Sequence, residues 1–341
     1  MPKENELPHK VVLIDYDEAL FAPMGFEAEK LAQVGASWET YQLRDKAKVV
    51  EVARDAEVVA IQSVRPLLTR EVIAQLSHCR CMIRAGAGYD SIDCEAATEQ
   101  GIMVCNAPTY CTDDVADHAV ALMLASVRHI PRLDARMREG EYARGLARPT
   151  RRVAGTTLGI IGLGRIGSTV SRRVSGWNMK VLAYDPYVEQ KDADEVGATL
   201  VDDLNTLLEE AHFITIHCPH TDETYHMLSE DEFARMREGV IIVNASRGPI
   251  IDEEALIEAL QEGRVWAAGL DVTEEEPLPP DSPLLEMDNV ILTPHIAANS
   301  EAAREDLYRL VCEISADVVQ GRTPEWVVNP EVLDHVRPPR T

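Results

Sequence analysis

Residues 157–167 read TLGIIGLGRIG: an apolar run, three glycines spaced G-x-G-x-x-G, and then helical composition. No other stretch constrains the chain as much. A strand should end before Gly162, which permits a tight turn. Gly164 lets the backbone approach a pyrophosphate, and Gly167 lets the following helix pack on the strand. Free backbone N–H groups around Arg165 and Ile166, aided by the helix dipole, then favour a bound phosphate. Asp185 ends the next apolar run, 18 residues after Gly167. An acid there accepts from a ribose 2′-hydroxyl and repels a 2′-phosphate. Pro186 and Tyr187 follow it rather than Arg or Lys, which favours NAD over NADP. A glycine turn with an unrelated helix-capping acid would not require this order.

Strand-like runs at 157–161, 180–184, 213–216, 240–244, 266–270 and 290–292 alternate with helical stretches at 165–176, 203–210, 230–236 and 252–261. An independent series precedes them, with strands at 11–15, 57–61, 82–84 and 102–105 and helices at 27–34, 46–53, 69–76 and 92–100. Repeated βα units imply mainly parallel sheets with helices on both faces. A length of 341 residues suits two domains, at about 100–200 residues each. Two longer helices, 113–128 and 300–320, lie between and after the series. The first is apolar on nearly every face, which predicts burial between domains or at a subunit interface. The second carries one stripe (Ala303, Leu307, Leu310, Ile314, Val318) and returns the chain to the first domain.

The formal net charge is −25, from 33 basic and 58 acidic residues. That argues against nucleic acid and anionic membranes as partners. An anionic substrate must be drawn in by local cations, with the field of the whole chain screened over about 8 Å. Arg is concentrated at 128–152, eight against three acids, which reads as an anion-attracting face or as a solvated or subunit-contacting segment. Seven Cys form no regular framework, and no second pair answers Cys79-x-Cys81. Reduced thiols are expected rather than disulfides or a zinc site. The apolar run 119–125 is far shorter than a membrane span, which needs about 20 residues. MPKENELPHK lacks a signal-peptide core, so the expected location is cytoplasmic.

Three segments fall at the ends of strands in the second series: Asn244 to Gly248, Leu270 to Pro277, and Thr293 to Ala297. Ligands of open α/β sheets bind outside the carboxyl ends of the strands. An Arg, an acid and a His would therefore converge where a nicotinamide should lie.

GLGRIG at 162–167, HCPHTDETYHML at 217–228, NASRGP at 244–249, the GLDV to EP stretch at 269–277 and TPHIA at 293–297 together resemble the D-isomer-specific 2-hydroxyacid dehydrogenase family over nearly the whole chain. The resemblance implies an α/β fold of two Rossmann-like, doubly wound parallel-sheet domains. The NAD-binding domain (113–299) would be inserted into a flavodoxin-like substrate-binding domain (1–112 and 300–341), with the active site in the interdomain cleft. The implied reaction is NAD(H)-dependent hydride transfer between a 2-oxo acid and a D-2-hydroxy acid. Arg247 would hold the substrate carboxylate and polarise the 2-carbonyl, because a guanidinium grips a planar acid bidentately. His295 would give and take the proton, a task suited to an imidazole. Glu276, before Pro277, occupies the family's catalytic acid position and would orient that imidazole; Glu274 and Glu275 read as solvated neighbours. Gly86, Ala87 and Gly88 would offer backbone N–H groups to the carboxylate, although a plain strand-to-helix turn has the same residues. Ser63 and Val64 would shape the side-chain pocket. Asp271 would approach the nicotinamide carboxamide, and Thr112, His217, Cys218, Pro219 and Ala245 would line the cofactor. No metal is implied.

CNAP at 105–108, YDPY at 184–187 and GRTPEWVVN at 321–329 are similar to the C-terminal-binding-protein-like branch, which includes corepressors. An NAD(H)-sensing interaction protein is therefore the alternative to an enzyme. Two departures from the pattern stand out. Asp117 precedes His118 where many members carry Glu, and Ile296 to Asn299 follow His295 without the corepressors' aromatic residue. The Arg-rich segment permits a phosphorylated hydroxy acid as a third reading. The apolar helix near 115–127 suggests a homodimer.

Overall fold

The computed structural model describes residues 7–147 and 150–339. The chain divides into two units, Met1–Cys111 with Asn299–Thr341, and Thr112–Ala298. Thr112 opens the second unit and Asn299 returns to the first, each one residue earlier than the division read from the sequence. Arg148 of the Arg-rich segment lies outside the described residues.

In the first unit β1 (His9–Ile14), β2 (Ala36–Tyr41), β3 (Val58–Ile61), β4 (Cys81–Arg84) and β5 (Met103–Asn106) form one parallel sheet in the order β2-β1-β3-β4-β5. That order is flavodoxin-like. β3, β4 and β5 are buried along their whole length, as expected of strands covered on both faces. β2 was not apparent in the sequence. It is an edge strand, and ASWETY has no apolar run because most of its positions stay partly exposed.

The helix Glu301–Val319 packs against β3, β4 and the helix Glu27–Ala32, as its single stripe requires. Its Tyr308 is fully buried and donates to the carbonyl of Phe21 at 2.5 Å. The segment after it runs along the free edge of β5. Val328 N–H donates to Val104 O, the Asn329 side chain accepts from Val104 N–H at 2.7 Å, and Cys105 bridges Val327. An edge covered in this way is closed to pairing with another chain. Arg80, buried, joins the two ends of this return path by donating to Val318 O at 2.8 Å and Arg337 O at 3.3 Å.

The second unit carries β6 (Thr157–Ile161), β7 (Lys180–Tyr184), β8 (Thr199–Leu200), β9 (Phe213–Ile216), β10 (Val240–Asn244), β11 (Val265–Leu270) and β12 (Val290–Leu292). Their order is β12-β11-β10-β9-β6-β7-β8, all parallel. The chain reverses direction across the sheet between β6 and β9, the switch point of a doubly wound dinucleotide fold. The helix Gln190–Asp194 and the two-residue β8 were not expected; both are too short to show periodicity.

The helix Thr112–Val127 packs against the helix Arg165–Val174, β10 and β11. Its Ala116, Ala119, Leu122, Met123 and Val127 join the core of this unit, so one face of the helix is buried inside the chain, while Leu124 and Ala125 stay partly exposed. Exposed apolar side chains, Ile130, Met137 and Tyr142, lie further on, in and after the unexpected helix Ile130–Arg138, which buries none of its residues. Among the described residues no helix is long and apolar enough to cross a membrane.

Candidate active site

β6 delivers the glycine loop. Gly162 has φ +88°, and a Cβ on it would lie 2.5 Å from Cys218 N, so the turn needs glycine both for its backbone and for the close passage of the chain leaving β9. A Cβ on Gly167 would overlap the carbonyl oxygen of Gly162, which explains how the helix Arg165–Val174 sits down on the turn. A Cβ on Gly164 would meet nothing within 4 Å, so this position faces open space at the helix N-terminus. Asp185 is half-buried at the end of β7. One carboxylate oxygen accepts from Leu163 N–H at 2.9 Å and the other from Tyr187 N–H at 2.9 Å. Lone pairs remain for a ribose hydroxyl. These features fit a dinucleotide: an open helix N-terminus, a tight turn and an acid tied to the loop.

His217 and Cys218 follow β9. Burial pushes His217 down to about 3, so its ring is neutral; Nε2 meets Thr215 Oγ1 at 2.9 Å and the buried Nδ1 has no partner among the described residues. Burial pushes the Cys218 thiol up to about 12, which removes it as a nucleophile at neutral pH. Pro219 is exposed, Ala245 half-buried, and Thr112 is the first residue of its helix.

Beyond β10, Asn244 braces the turn that carries Arg247. Its Oδ1 accepts from Ser246 N–H at 3.0 Å and its Nδ2 donates to Arg247 O at 2.8 Å. Gly248 then lies so close to the loop after β11 that a Cβ would overlap the carbonyl of Thr273. That loop is anchored by Glu274, which accepts from Glu253 N–H at 3.2 Å and pairs with His226 Nε2 at 2.9 Å. Glu274 is therefore a structural tie rather than the solvated neighbour expected from the sequence. Glu276, two residues on, places Oε2 2.8 Å from His295 Nδ1.

Asp271 lies beneath this pair, 1% exposed. Its Oδ1 accepts from Thr293 Oγ1 at 2.6 Å and Ile296 N–H at 3.0 Å, and its Oδ2 from Ala297 N–H at 2.8 Å. Burial alone would raise its pKa, but hydrogen bonds from His118, Thr293, Ile296 and Ala297 outweigh that and hold it below the usual carboxylate range. His295 N–H donates to Asp271 O at 2.8 Å, and the residue sits at φ +53°. A left-handed non-glycine residue is held only by surroundings that fix it, and here Asp271 does so through both backbone and side chain. His118 joins from the helix Thr112–Val127, its Nε2 3.0 Å from Thr293 Oγ1. The hydroxyl hydrogen of Thr293 is directed to Asp271, so His118 is the donor in that contact. Thr293, His118 and Asn244 were not singled out from the sequence. Asp117, the departure noted there, is exposed and accepts from Arg173 Nε at 2.6 Å.

In the first unit, Ser63 and Val64 follow β3 and Gly86, Ala87 and Gly88 follow β4. Val64 is 44% exposed. Asn106 Nδ2 donates to Ala87 O at 2.6 Å, and a Cβ on Gly86 would overlap the buried guanidinium of Arg84. A cation therefore lies directly beneath the loop expected to receive a carboxylate. Among the described residues no group of three His, Cys, Asp or Glu could hold a metal ion.

The model of the D-isomer specific 2-hydroxyacid dehydrogenase NAD binding domain matches residues 120–297. The chain belongs to this family. Membership in the D-isomer specific 2-hydroxyacid dehydrogenases makes the second unit an NAD-binding domain, in accord with the glycine loop and Asp185. A D-3-phosphoglycerate dehydrogenase of Methanocaldococcus jannaschii is 42% identical over 307 residues, 90% of this chain and 58% of the relative. A glyoxylate reductase of Korarchaeum cryptofilum is 39% identical over 305 residues, 89% of this chain and 91% of the relative. The chain thus spans little more than half the length of the first relative and nearly all of the second. Among solved structures, D-lactate dehydrogenase from Aquifex aeolicus, complexed with NAD and lactic acid, superposes with a TM-score of 0.81 at 29% identity, covering 96% of this chain and 99% of that one. These relatives are named dehydrogenases and a reductase, so the C-terminal-binding-protein-like branch gains no support from them.

Proposed function

We propose that this family member is an NAD(H)-dependent oxidoreductase that interconverts a 2-oxo acid and a D-2-hydroxy acid. The observation that carries the reading is the His295–Glu276 pair, 2.8 Å long, beyond the carboxyl ends of the same sheet's strands as the glycine loop. β10, β11 and β12 are neighbours, so Arg247, Glu276 and His295 leave strands about 5 Å apart. NADH, when bound, supplies the hydride that reaches the substrate C2. Glu276 accepts from Nδ1–H of His295 and leaves Nε2–H to protonate the developing alkoxide; in oxidation the same nitrogen takes the proton back. Arg247 holds the carboxylate and draws charge from the carbonyl. The neutral His217 and protonated Cys218 add no competing acid or nucleophile beside the glycine loop.

The names of the relatives make glyoxylate, 3-phosphohydroxypyruvate and pyruvate the first substrates to try, with NADH and NADPH in parallel. Oxidation of NADH by one of them supports the reading. Tight NADH binding with no turnover across a broad panel of 2-oxo acids would favour an NADH-sensing binding protein instead. We further propose a homodimer, supported by the exposure of Ile130 (54%), Met137 (55%) and Tyr142 (77%). Sedimentation velocity that gives a monomer at micromolar concentration would exclude it.

A further inference from the structure

At the opposite ends of the second unit's strands from the glycine loop, a cavity of about 710 Å³ is lined by Thr150, Arg151, Arg237, Glu238 and Trp266, together with Gly239 and Gly263. The lining comes from segments that lead into strands and from Trp266 near the start of β11. Arg151 lies before β6, His212 before β9, Arg237 before β10 and Arg264 before β11. A five-residue strand is about 17 Å long, so this cavity is remote from the dinucleotide loop.

Two arginines line the cavity, Arg151 and Arg237. Arg151 Nη1 reaches His212 O at 3.4 Å, and its Nη2 lies 3.5 Å from where a Cβ on Gly239 would stand. Among the described residues neither Arg151 nor Arg237 has a carboxylate within ion-pairing distance, Glu238 included. Other arginines of the basic stretch are spent otherwise: Arg132 on Asp288, Arg136 on Glu139 and Arg138 on Asp134. Burial and then the charge of Arg237 lower Arg151, and burial, Arg237 and Arg151 in turn lower His212. The His212 ring adds no third positive charge while its Nδ1 accepts from Thr157 N–H at 3.2 Å. In a chain with a net charge of −25, two mutually repelling cations line one cavity and Glu238, on the same cavity, pairs with neither, which is a setting suited to an anion.

We infer that Arg151 and Arg237 bind a phosphate group, free or carried on a small metabolite, at a second site remote from the dinucleotide loop. Two arginine forks match the oxygens of a phosphate better than those of a monovalent anion. The indole of Trp266 offers an apolar wall for whatever the phosphate carries.

The test is calorimetric titration of the full chain with inorganic phosphate and with phenyl phosphate, in the wild type, R151Q, R237Q and R151Q/R237Q. Each single substitution is expected to weaken binding about tenfold, the loss of one charge-assisted fork, and the double variant to abolish it. Phosphate bound at the glycine loop is common to all four proteins and cancels. Tighter binding of phenyl phosphate assigns the site to a phosphorylated metabolite; equal binding assigns it to free phosphate. Equal binding by the wild type and R151Q/R237Q overturns the proposal. So does a change in sedimentation on substitution with no change in phosphate binding, which would assign the arginines to a contact between copies. Trp266→Phe gives a reading that does not depend on the double variant folding: quenching of tryptophan fluorescence by phenyl phosphate should drop in it, and undiminished quenching overturns the proposal.

Discussion

Gly248 and Thr273 pack backbone against backbone, with no room for even a methyl group between the turn that carries Arg247 and the loop that carries Glu276. One side of the site thus sets the height of the other. Gly248→Ala should push the two segments apart while leaving the glycine loop at 162–167 untouched. The expected result is NADH affinity within about threefold of wild type and turnover reduced at least tenfold, or about 1.4 kcal/mol in the barrier. Parallel loss of NADH affinity and turnover would show that the two regions are not separable.

His295→Ala should lower turnover by about 10²–10⁴, the usual contribution of general acid–base catalysis. Glu276→Gln keeps a hydrogen-bonding group beside Nδ1 but removes its charge, so a smaller loss is expected. Steady-state rates on the best substrate of both variants check the order. A fully active His295→Ala protein would remove the imidazole from the reaction.

Asp185→Ser should shift cofactor choice, because the carboxylate that repels a 2′-phosphate is gone. The ratio of kcat/KM for NADPH to that for NADH should rise about tenfold or more, corresponding to about 1.4 kcal/mol. The substitution also frees Leu163 N–H, so absolute affinity for NADH should fall.

His217 is held neutral, with a folded pKa of about 3 against an ordinary 6.5. The unfolded chain therefore binds a proton that the folded chain refuses. Stability is full above the ordinary value and declines as pH falls through it toward the folded one. Urea midpoints at pH 5 and pH 7 should differ less in His217→Asn than in the wild type. The depressed Asp271 contributes stability at neutral pH that is lost only as pH falls below the ordinary carboxylate range, where the unfolded chain's carboxyl takes a proton first.

Arg80→Met should destabilise the first unit by about 3–5 kcal/mol, because it strands the buried Glu57. That carboxylate lies 3.5 Å from Arg80 and 2.7 Å from His9, and the substitution also removes the side-chain donor to Val318 O, which keeps Gly321 N–H at 3.0 Å. Thermal melting reads the loss. A midpoint unchanged within a degree would mean that His9 alone satisfies Glu57.

The sequence exposed those parts of this fold in which one residue type has one purpose. The glycines at 162, 164 and 167 and the apolar strands of the second unit are such cases: β6, β7, β9, β10 and β12 begin and end where the pattern places them. The polar edge strand β2 and the two-residue β8 carry no such pattern and were not seen. The roles of His118, Thr293 and Glu274 are not legible in the sequence for a different reason. Each acts through a partner distant in sequence, 175 residues away for His118, and no local spacing announces such a contact. The sequence points to Asp271 as a cofactor residue, but its hold on the backbone of Ile296 and Ala297 depends on how the loop after β12 folds back, which no local pattern encodes.

The strip that seals β5 has a consequence for the order of events during synthesis. Val104 finds its partner Asn329 across 225 residues of chain. At about 5–20 residues per second, a ribosome delivers that partner roughly 10–45 s after the strand itself. The second unit is made wholly within that interval and can complete its sheet while the first still has an open edge. The inner domain is then first to fold and the outer one last to close. A strand edge left unpaired for tens of seconds is where this chain is most exposed to capture by a neighbour.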